Sequence, residues 1–490
     1  MSHRVVERLG ELLAEAGFGR ERHLALMGTP GGVPPPAALE VFDRQEDARL
    51  ATLLSLFHDG HTVGRAEVEL AIDPLTIHEL MEAGLVEADP AGLRTRVRLS
   101  AISGVILSGD THRQSGNADY VAALSPPGKA VAYTTVRRPA QTALDLCTGS
   151  GIQALLAARH AEQVVGVDVN RHALAFAQLN QRLNSVDNVT WVEGSGFEPV
   201  AGERFDLVVA NPPVVISPHE AVLARDSAIG GEKLSRQIVR ESAEHLSEGG
   251  FATLFCNWGD GADDGPSEWV TGLGCDALIL TFQTQEPLAY AMANAAGPRR
   301  DDPAAVTETV KRWMRHYEDM GVEAISVGAI VLRRRSGGPN WVREFETQGE
   351  PSGPGGDQLE RMFAGGDFLV AASGAAQLGK LLAMTWHLAD GHRLDQALIY
   401  RHGAYESGDA VLTQKSGMNL SAHVDYRVVP VVVGCDGRRR LADVLRETPI
   451  PEGLDQQGFH TLCLGAIRDL IARGFLVAGP FRRTAPPGDG

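Results

Sequence analysis

Apolar residues over the first 17 positions recur at helical spacing: Val5, Leu9, Leu12, Leu13 and Ala16 share one face of a predicted amphipathic helix. A turn-rich stretch from Met27 to Ala37 follows. From Glu46 the pattern predicts helices over 46–58, 66–70 and 74–83, then strands over 93–100 and 104–108. Three helices followed by a hairpin outline a winged-helix unit, a form that serves nucleic-acid binding, dimer contacts or substrate recognition. Residues 51–100 hold eight acids and four bases, which favours protein interaction over nucleic acid.

From Thr142 the rhythm changes to short apolar strands alternating with helices, the mark of a parallel sheet. Strands are predicted over 142–147, 163–167, 189–192, 205–210, 250–256, 277–282 and 324–332, with an acidic loop over 259–266 and a helix over 303–320. Seven strands in this order suit a doubly wound, Rossmann-like α/β sheet whose last strand returns antiparallel. Arg333, Arg334 and Arg335 read as a solvated strand end leading into a linker. Beyond Trp341 the pattern ends in predicted helices over 439–447 and 458–473 and a strand over 475–477, a second winged-helix-like outline. Three domains follow: 1–110, 111–336 and 340–490.

Composition narrows the possibilities. A chain of 490 residues is too long for one hydrophobic core. No stretch approaches the roughly 18 apolar residues of a membrane span, and no signal peptide opens the chain, so a cytoplasmic protein without a membrane partner is expected. The five cysteines are scattered without a CxxC pair, which argues against a disulfide framework or a zinc site. The His58 and His61 pair reads as a helix end, and no metal is expected. Net charge is −17 and no segment forms a basic domain, which disfavours RNA relative to a protein or small-molecule acceptor.

Chemistry concentrates at three strand ends. Leu144-Asp145-Leu146-Cys147-Thr148-Gly149-Ser150-Gly151-Ile152 ends a strand in Asp-x-x-x-Gly-x-Gly and opens a helix. Seventeen residues after Gly151 stands Asp168, placed to accept ribose hydroxyls. These glycines also satisfy a dinucleotide fingerprint, so a nicotinamide dehydrogenase is a rival. Asp145 favours S-adenosylmethionine instead, because a carboxylate repels pyrophosphate and attracts an ammonium and a sulfonium. The bland reading of Asp145 is a helix cap. The third strand runs into Asn211-Pro212-Pro213-Val214, where the prolines lack N–H groups and the Asn211 side chain and Pro212 carbonyl offer acceptors to a nucleophilic nitrogen.

Leu144 to Gly259 resembles the class I methyltransferases of the Asn-Pro-Pro-aromatic type, especially the release-factor glutamine methyltransferases and the small-domain rRNA guanine methyltransferases. Gly194-Ser195-Gly196-Phe197-Glu198-Pro199 resembles the group's adenine segment. The resemblance implies that Asp145, Gly149 and Gly151 line the methionine end, that Asp168 holds the ribose and that Ser195 faces the adenine, with Cys147, Ile152, Val169, Gly196 and Asn211 also among the cofactor-binding residues. It implies that Asn211 with Pro212 holds the acceptor. Pro213, Val214, Arg225 and Trp258 are candidates for substrate contact; His219, Asp226 and Glu232 could act as a base toward a hydroxyl. Two positions depart from the group: Val214 replaces an aromatic residue and Ser195 replaces an acid.

The expected reaction is methyl transfer from S-adenosylmethionine, positioned by the protein. Three readings stay open: N-methylation of an amine or amide on a protein, peptide or small metabolite; methylation of an RNA base; and a non-catalytic protein that binds the cofactor.

Overall fold

The computed structural model describes residues 3–19, 45–218, 231–261, 265–295, 303–371, 374–414 and 416–479. The chain divides into two compact units, one of Met1–Ala132, Arg138–Leu273 and Thr284–Arg334, the other of Tyr133–Arg137, Gly274–Gln283 and Arg335–Gly490.

The first unit opens with α1 (His3–Glu15), α2 (Gln45–Leu53, continued by a π-helical turn at Leu54–Asp59), α3 (Arg65–Ile72) and α4 (Ile77–Glu82). Thr76 and Glu79 close a capping box at the start of α4, satisfying two backbone N–H groups that the helix cannot use. The hairpin expected over 93–108 forms instead as two hairpins, β1 (Val86–Asp89) with β2 (Gly92–Thr95), and β3 (Arg98–Ile102) with β4 (Val105–Gly109). His58 Nδ1 lies 3.0 Å from the Leu99 carbonyl and His61 Nδ1 lies 3.3 Å from Ser55 Oγ.

The sheet that carries the site follows: α5 (Pro126–Thr134), β5 (Ala140–Leu146), α6 (Ile152–Ala157), β6 (Ala161–Asp168), α7 (Arg171–Leu183), β7 (Val189–Glu193), β8 (Phe205–Ala210), α8 (Gly231–Glu244), β9 (Leu246–Asp260), α9 (Pro266–Val270), β10 (Cys275–Gln285), α10 (Pro287–Ala295), α11 (Pro303–Met320) and β11 (Ala324–Arg334). Within the first unit the strands run in the order β11-β9-β8-β5-β6-β7. All neighbours pair parallel except β9 and β11, which are antiparallel. Strand β8 reads Phe-Asp-Leu-Val-Val-Ala and buries five of its six residues, as a strand covered on both faces must. Strand order reverses between β5 and β8, and the crevice beyond their carboxyl ends is the place such sheets offer a ligand. The N-terminal helices share one core with α7: Leu9 and Leu13 belong to the same buried cluster as Phe176 and Leu183.

The second unit pairs β10 in parallel with β12 (Val342–Glu346), a strand that the sequence pattern does not signal. It continues with α12 (Gly356–Val370), α13 (Gly374–Ala383), β13 (Thr385–Leu388), β14 (His392–Arg401), β15 (Ala404–Gln414), β16 (Ser421–Val424), α14 (Val429–Gly434), β17 (Asp436–Arg440), α15 (Leu441–Glu447), α16 (Gln456–Ala472) and β18 (Leu476–Ala478). Trp386, Phe459 and Cys463 anchor its core. Arg335 is not the solvated edge group expected: its guanidinium forks onto Asp276 at 2.6 and 2.7 Å, and Asp276 is fully buried. A buried carboxylate demands such a partner. Among the described residues no helix is long and apolar enough to cross a membrane.

Candidate functional site

Asp145 sits at the carboxyl end of β5 and is 2% exposed. Its Oδ2 accepts the Ala154 N–H at 2.9 Å and the Thr148 hydroxyl at 2.5 Å. Ala154 is the third residue of α6, whose N-cap, Gly151, has no side chain to offer, so Asp145 caps the helix from nine residues upstream. The other oxygen, Oδ1, is buried and has no partner among the described residues. Burial pushes the carboxyl up to about 7, and the nearby Asp168 adds to the rise, while the bonds from Thr148 and Ala154 oppose it. A buried acceptor without a donor is costly, and a cation placed against it would remove the cost and restore the charge. The cap reading of Asp145 accounts for Oδ2 alone, and Oδ1 is left over.

The turn between β5 and α6 is shaped by positive φ values at Cys147 (55°), Gly149 (54°) and Gly151 (84°). A Cβ on Gly151 would stand 2.8 Å from Trp191 Cη2 and 3.2 Å from Ala177 Cβ, so only glycine lets the turn close against α7. Cys147 holds the same region without glycine's freedom. Its thiol is raised by burial and by the Asp168 and Asp145 carboxylates, so it stays protonated. Asp168, at the end of β6, accepts the Gly149 N–H at 2.8 Å and the Asn170 N–H at 2.9 Å. That bond ties the two predicted cofactor loops together. Burial raises the Asp168 carboxyl, and these backbone donors lower it. Val169 is 53% exposed beside it. Ser195 is exposed, and Gly196 follows with φ 53°. Ile152 opens α6 and is 6% exposed.

Asn211 leaves β8 next to β5, and its side chain has no hydrogen-bond partner among the described residues. It borders the first turn of α5: a Cβ on Gly128 would lie 3.7 Å from Asn211 Nδ2 and 3.9 Å from Ile152 Cγ2. Pro212 is buried, Pro213 is half-buried, and Val214 is 3% exposed. Trp258 lies within β9 opposite Ser326 and is 4% exposed. Glu232 is the second residue of α8, and its carboxyl is raised by burial. Arg225, His219 and Asp226 lie outside the described residues.

Several supports were missed by the sequence reading. The residue run leading into α5 and the first turn of that helix are tied to the glycine turn and α6 by two buried side chains. Ser150 Oγ donates to the Ala123 carbonyl at 3.0 Å and Gln153 Nε2 to the Gly128 carbonyl at 2.7 Å. Asn180, fully buried on α7, accepts the Ser108 N–H at 2.6 Å and donates to the Ser150 carbonyl at 2.8 Å. Polar residues inside an apolar helical face were the available signal, because a buried amide must find partners.

An unpartnered buried carboxylate oxygen, a second carboxylate at the next strand end and a glycine turn fit a ligand with one cationic end and a ribose, which is S-adenosylmethionine. Residues 128–261 match the family described as "Methyltransferase small domain". The central part of the chain is a class I S-adenosylmethionine-dependent methyltransferase domain of the small-domain type.

Its relatives are more specific. Over 133 residues it is 38% identical to the ribosomal protein uL3 glutamine methyltransferase of Bradyrhizobium diazoefficiens, covering 24% of this chain and 41% of that protein. Over 126 residues it is 37% identical to the release factor glutamine methyltransferase of Geobacter sulfurreducens, covering 23% and 44%. The chain thus spans less than half the length of these relatives. Residues 2–96 match a family described as "Domain of unknown function (DUF7059)". Among solved structures, the YcgJ protein of Bacillus subtilis shares 16% identity over 43% of this chain and 99% of its own, with a TM-score of 0.29, a likeness too distant to bear on the fold.

Proposed function

We propose that the protein is a cytoplasmic methyltransferase that moves the methyl group of S-adenosylmethionine onto a side-chain nitrogen of a protein, an amide in the first instance. The observation that carries this reading is Asn211: a side chain without a described partner, set at the carboxyl edge of β8 beside β5 and followed by two prolines. The glutamine-directed relatives of the same segment support the choice of an amide. Residues 1–110 and 340–490 are assigned as flanking domains of the central one, with helical, winged-helix-like portions.

Bound in the crevice, S-adenosylmethionine supplies a methyl carbon already activated by its sulfonium charge. Asp145 Oδ1 would hold its ammonium and Asp168 its ribose hydroxyls. Asn211 Oδ1 and the Pro212 carbonyl would accept the two N–H bonds of the acceptor nitrogen and turn its lone pair toward the methyl carbon; as the nitrogen–methyl bond forms, the sulfur–methyl bond breaks, S-adenosylhomocysteine leaves and the nitrogen gives up one proton to solvent. Positioning of this kind supplies much of a displacement's rate. Purified protein, labelled S-adenosylmethionine, and ribosomal protein uL3, release factors and total RNA as separate acceptors test the reading. Label on a glutamine of a protein is expected; label in RNA alone, or none anywhere, overturns it.

A further inference from the structure

The segment that follows the Asn-Pro-Pro turn is held from behind by the helical pair α10–α11. Ile216, five residues after Asn211 and 2% exposed, has both its backbone groups bound by tyrosines. Its N–H donates to Tyr290 Oη at 3.3 Å, and its carbonyl accepts the Tyr317 hydroxyl at 2.9 Å. Tyr290 comes from α10 and Tyr317 from α11, and both rings are at most 2% exposed. Tyr290 Oη also accepts from Asn257 Nδ2 at 2.7 Å, which ties the clamp to β9. Trp313, Tyr317, Val322 and Ile325 close the apolar cluster around Ile216.

The same segment is also approached closely by the start of α8. A Cβ on Gly231, the first residue of α8, would stand 2.3 Å from the Val214 carbonyl oxygen and 2.6 Å from that of Val215. The segment between Pro213 and Ile216 therefore lies between the α8 start and two tyrosine hydroxyls. The two phenols supply the partners that the buried Ile216 N–H and carbonyl require, and in doing so fix the backbone at that residue.

We propose that Tyr290 and Tyr317 are positioning residues for methyl transfer: through Ile216 they fix where the Asn211-Pro212 acceptor pair stands, which makes α10–α11 part of the apparatus that places the acceptor nitrogen. The inference rests on Asn211 and Pro212 holding that nitrogen. A clamp five residues from the reacting turn acts on the geometry of that turn, so its loss lowers turnover and leaves the carboxylates at the β5 and β6 ends unaltered.

The test uses the full chain and the conservative variants Tyr290→Phe and Tyr317→Phe, each alone and combined with Asn211→Ala. The acceptor is protein extract from cells lacking the enzyme. Turnover at saturating S-adenosylmethionine is expected to fall about tenfold or more in each Phe variant, as a small misplacement of reacting groups predicts. The KM for S-adenosylmethionine is expected to stay within about twofold of wild type, the pattern of an interaction that matters only at the reaction centre. In the Asn211→Ala background the Phe substitutions are expected to cost little more, because the group they position is gone. Wild-type turnover in both Phe variants, losses that multiply with Asn211→Ala, or a cofactor KM that rises in parallel with the rate loss would each overturn the inference. Should Asn211→Ala itself leave turnover unchanged, it is the acceptor reading that fails, and the clamp is structural.

Discussion

The carboxylate of Asp145 and the backbone N–H of Ala154 meet at 2.9 Å across the glycine turn, which commits one carboxylate oxygen to α6 and leaves the other buried and unpartnered. The buried carboxyl makes stability depend on pH. Burial lifts the Asp145 carboxyl from its ordinary 3.8 to about 7, so between those values the folded protein holds a proton that the unfolded chain has released. Stability from this group is present below the unfolded value and is lost as pH rises through 7.

Ligand binding should show the opposite trend. Pairing of the S-adenosylhomocysteine ammonium with the ionised carboxylate, as proposed, predicts that raising the pH from about 6 to about 8 tightens its Kd by about tenfold, the gain expected when a group of pKa near 7 ionises. Asp145→Asn keeps an acceptor for Ala154 and should flatten that dependence. Calorimetric titration at several pH values measures it; an equally steep profile in the Asn variant assigns the effect to another group.

Asp168 has two of its acceptor positions filled by Gly149 and Asn170 and retains others for hydroxyls. Asp168→Ala should weaken S-adenosylhomocysteine binding by about 1.5–3 kcal/mol, the scale of hydrogen bonds to a charged group. Unchanged affinity in a folded variant means the ribose is held elsewhere.

Asn211→Ala should lower kcat by about 10²-fold or more while cofactor affinity holds, because the lost interaction is made mainly in the transition state. A turn-forming role alone predicts a lower Tm with activity recovered on cooling. The same variant, followed by rate, titration and melting, separates the two.

Asn180→Ala strips partners from Ser108 and Ser150, both buried, without touching any ligand. Each buried group left unpaired costs about 1–3 kcal/mol, so Tm should fall by several degrees. Affinity for S-adenosylhomocysteine should follow, since Ser150 lies in the glycine turn. A Tm equal to wild type would show that water replaces the amide.

Much of the central domain was written in the sequence. All seven expected strands are present, and β8 and α11 begin and end where the pattern placed them, at Phe205–Ala210 and Pro303–Met320. Apolar periodicity is a local property, and a buried parallel strand or an amphipathic helix announces itself within ten residues. The glycine turn, Asp168 and the Asn-Pro-Pro turn were legible for the same reason: each lies in one short run at a strand end, and open α/β sheets bring those ends to one crevice. Tertiary structure alone decided the rest. It buried Val214, set apart the two oxygens of Asp145, and brought Tyr290 and Tyr317 to Ile216 across 74 and 101 residues. The strand β12 and the pairing of Arg335 with Asp276, 59 residues apart, belong with them. Hydrogen bonds between distant polar groups leave no period in the chain, because each is fixed by a single pair of positions that only the packed fold brings together.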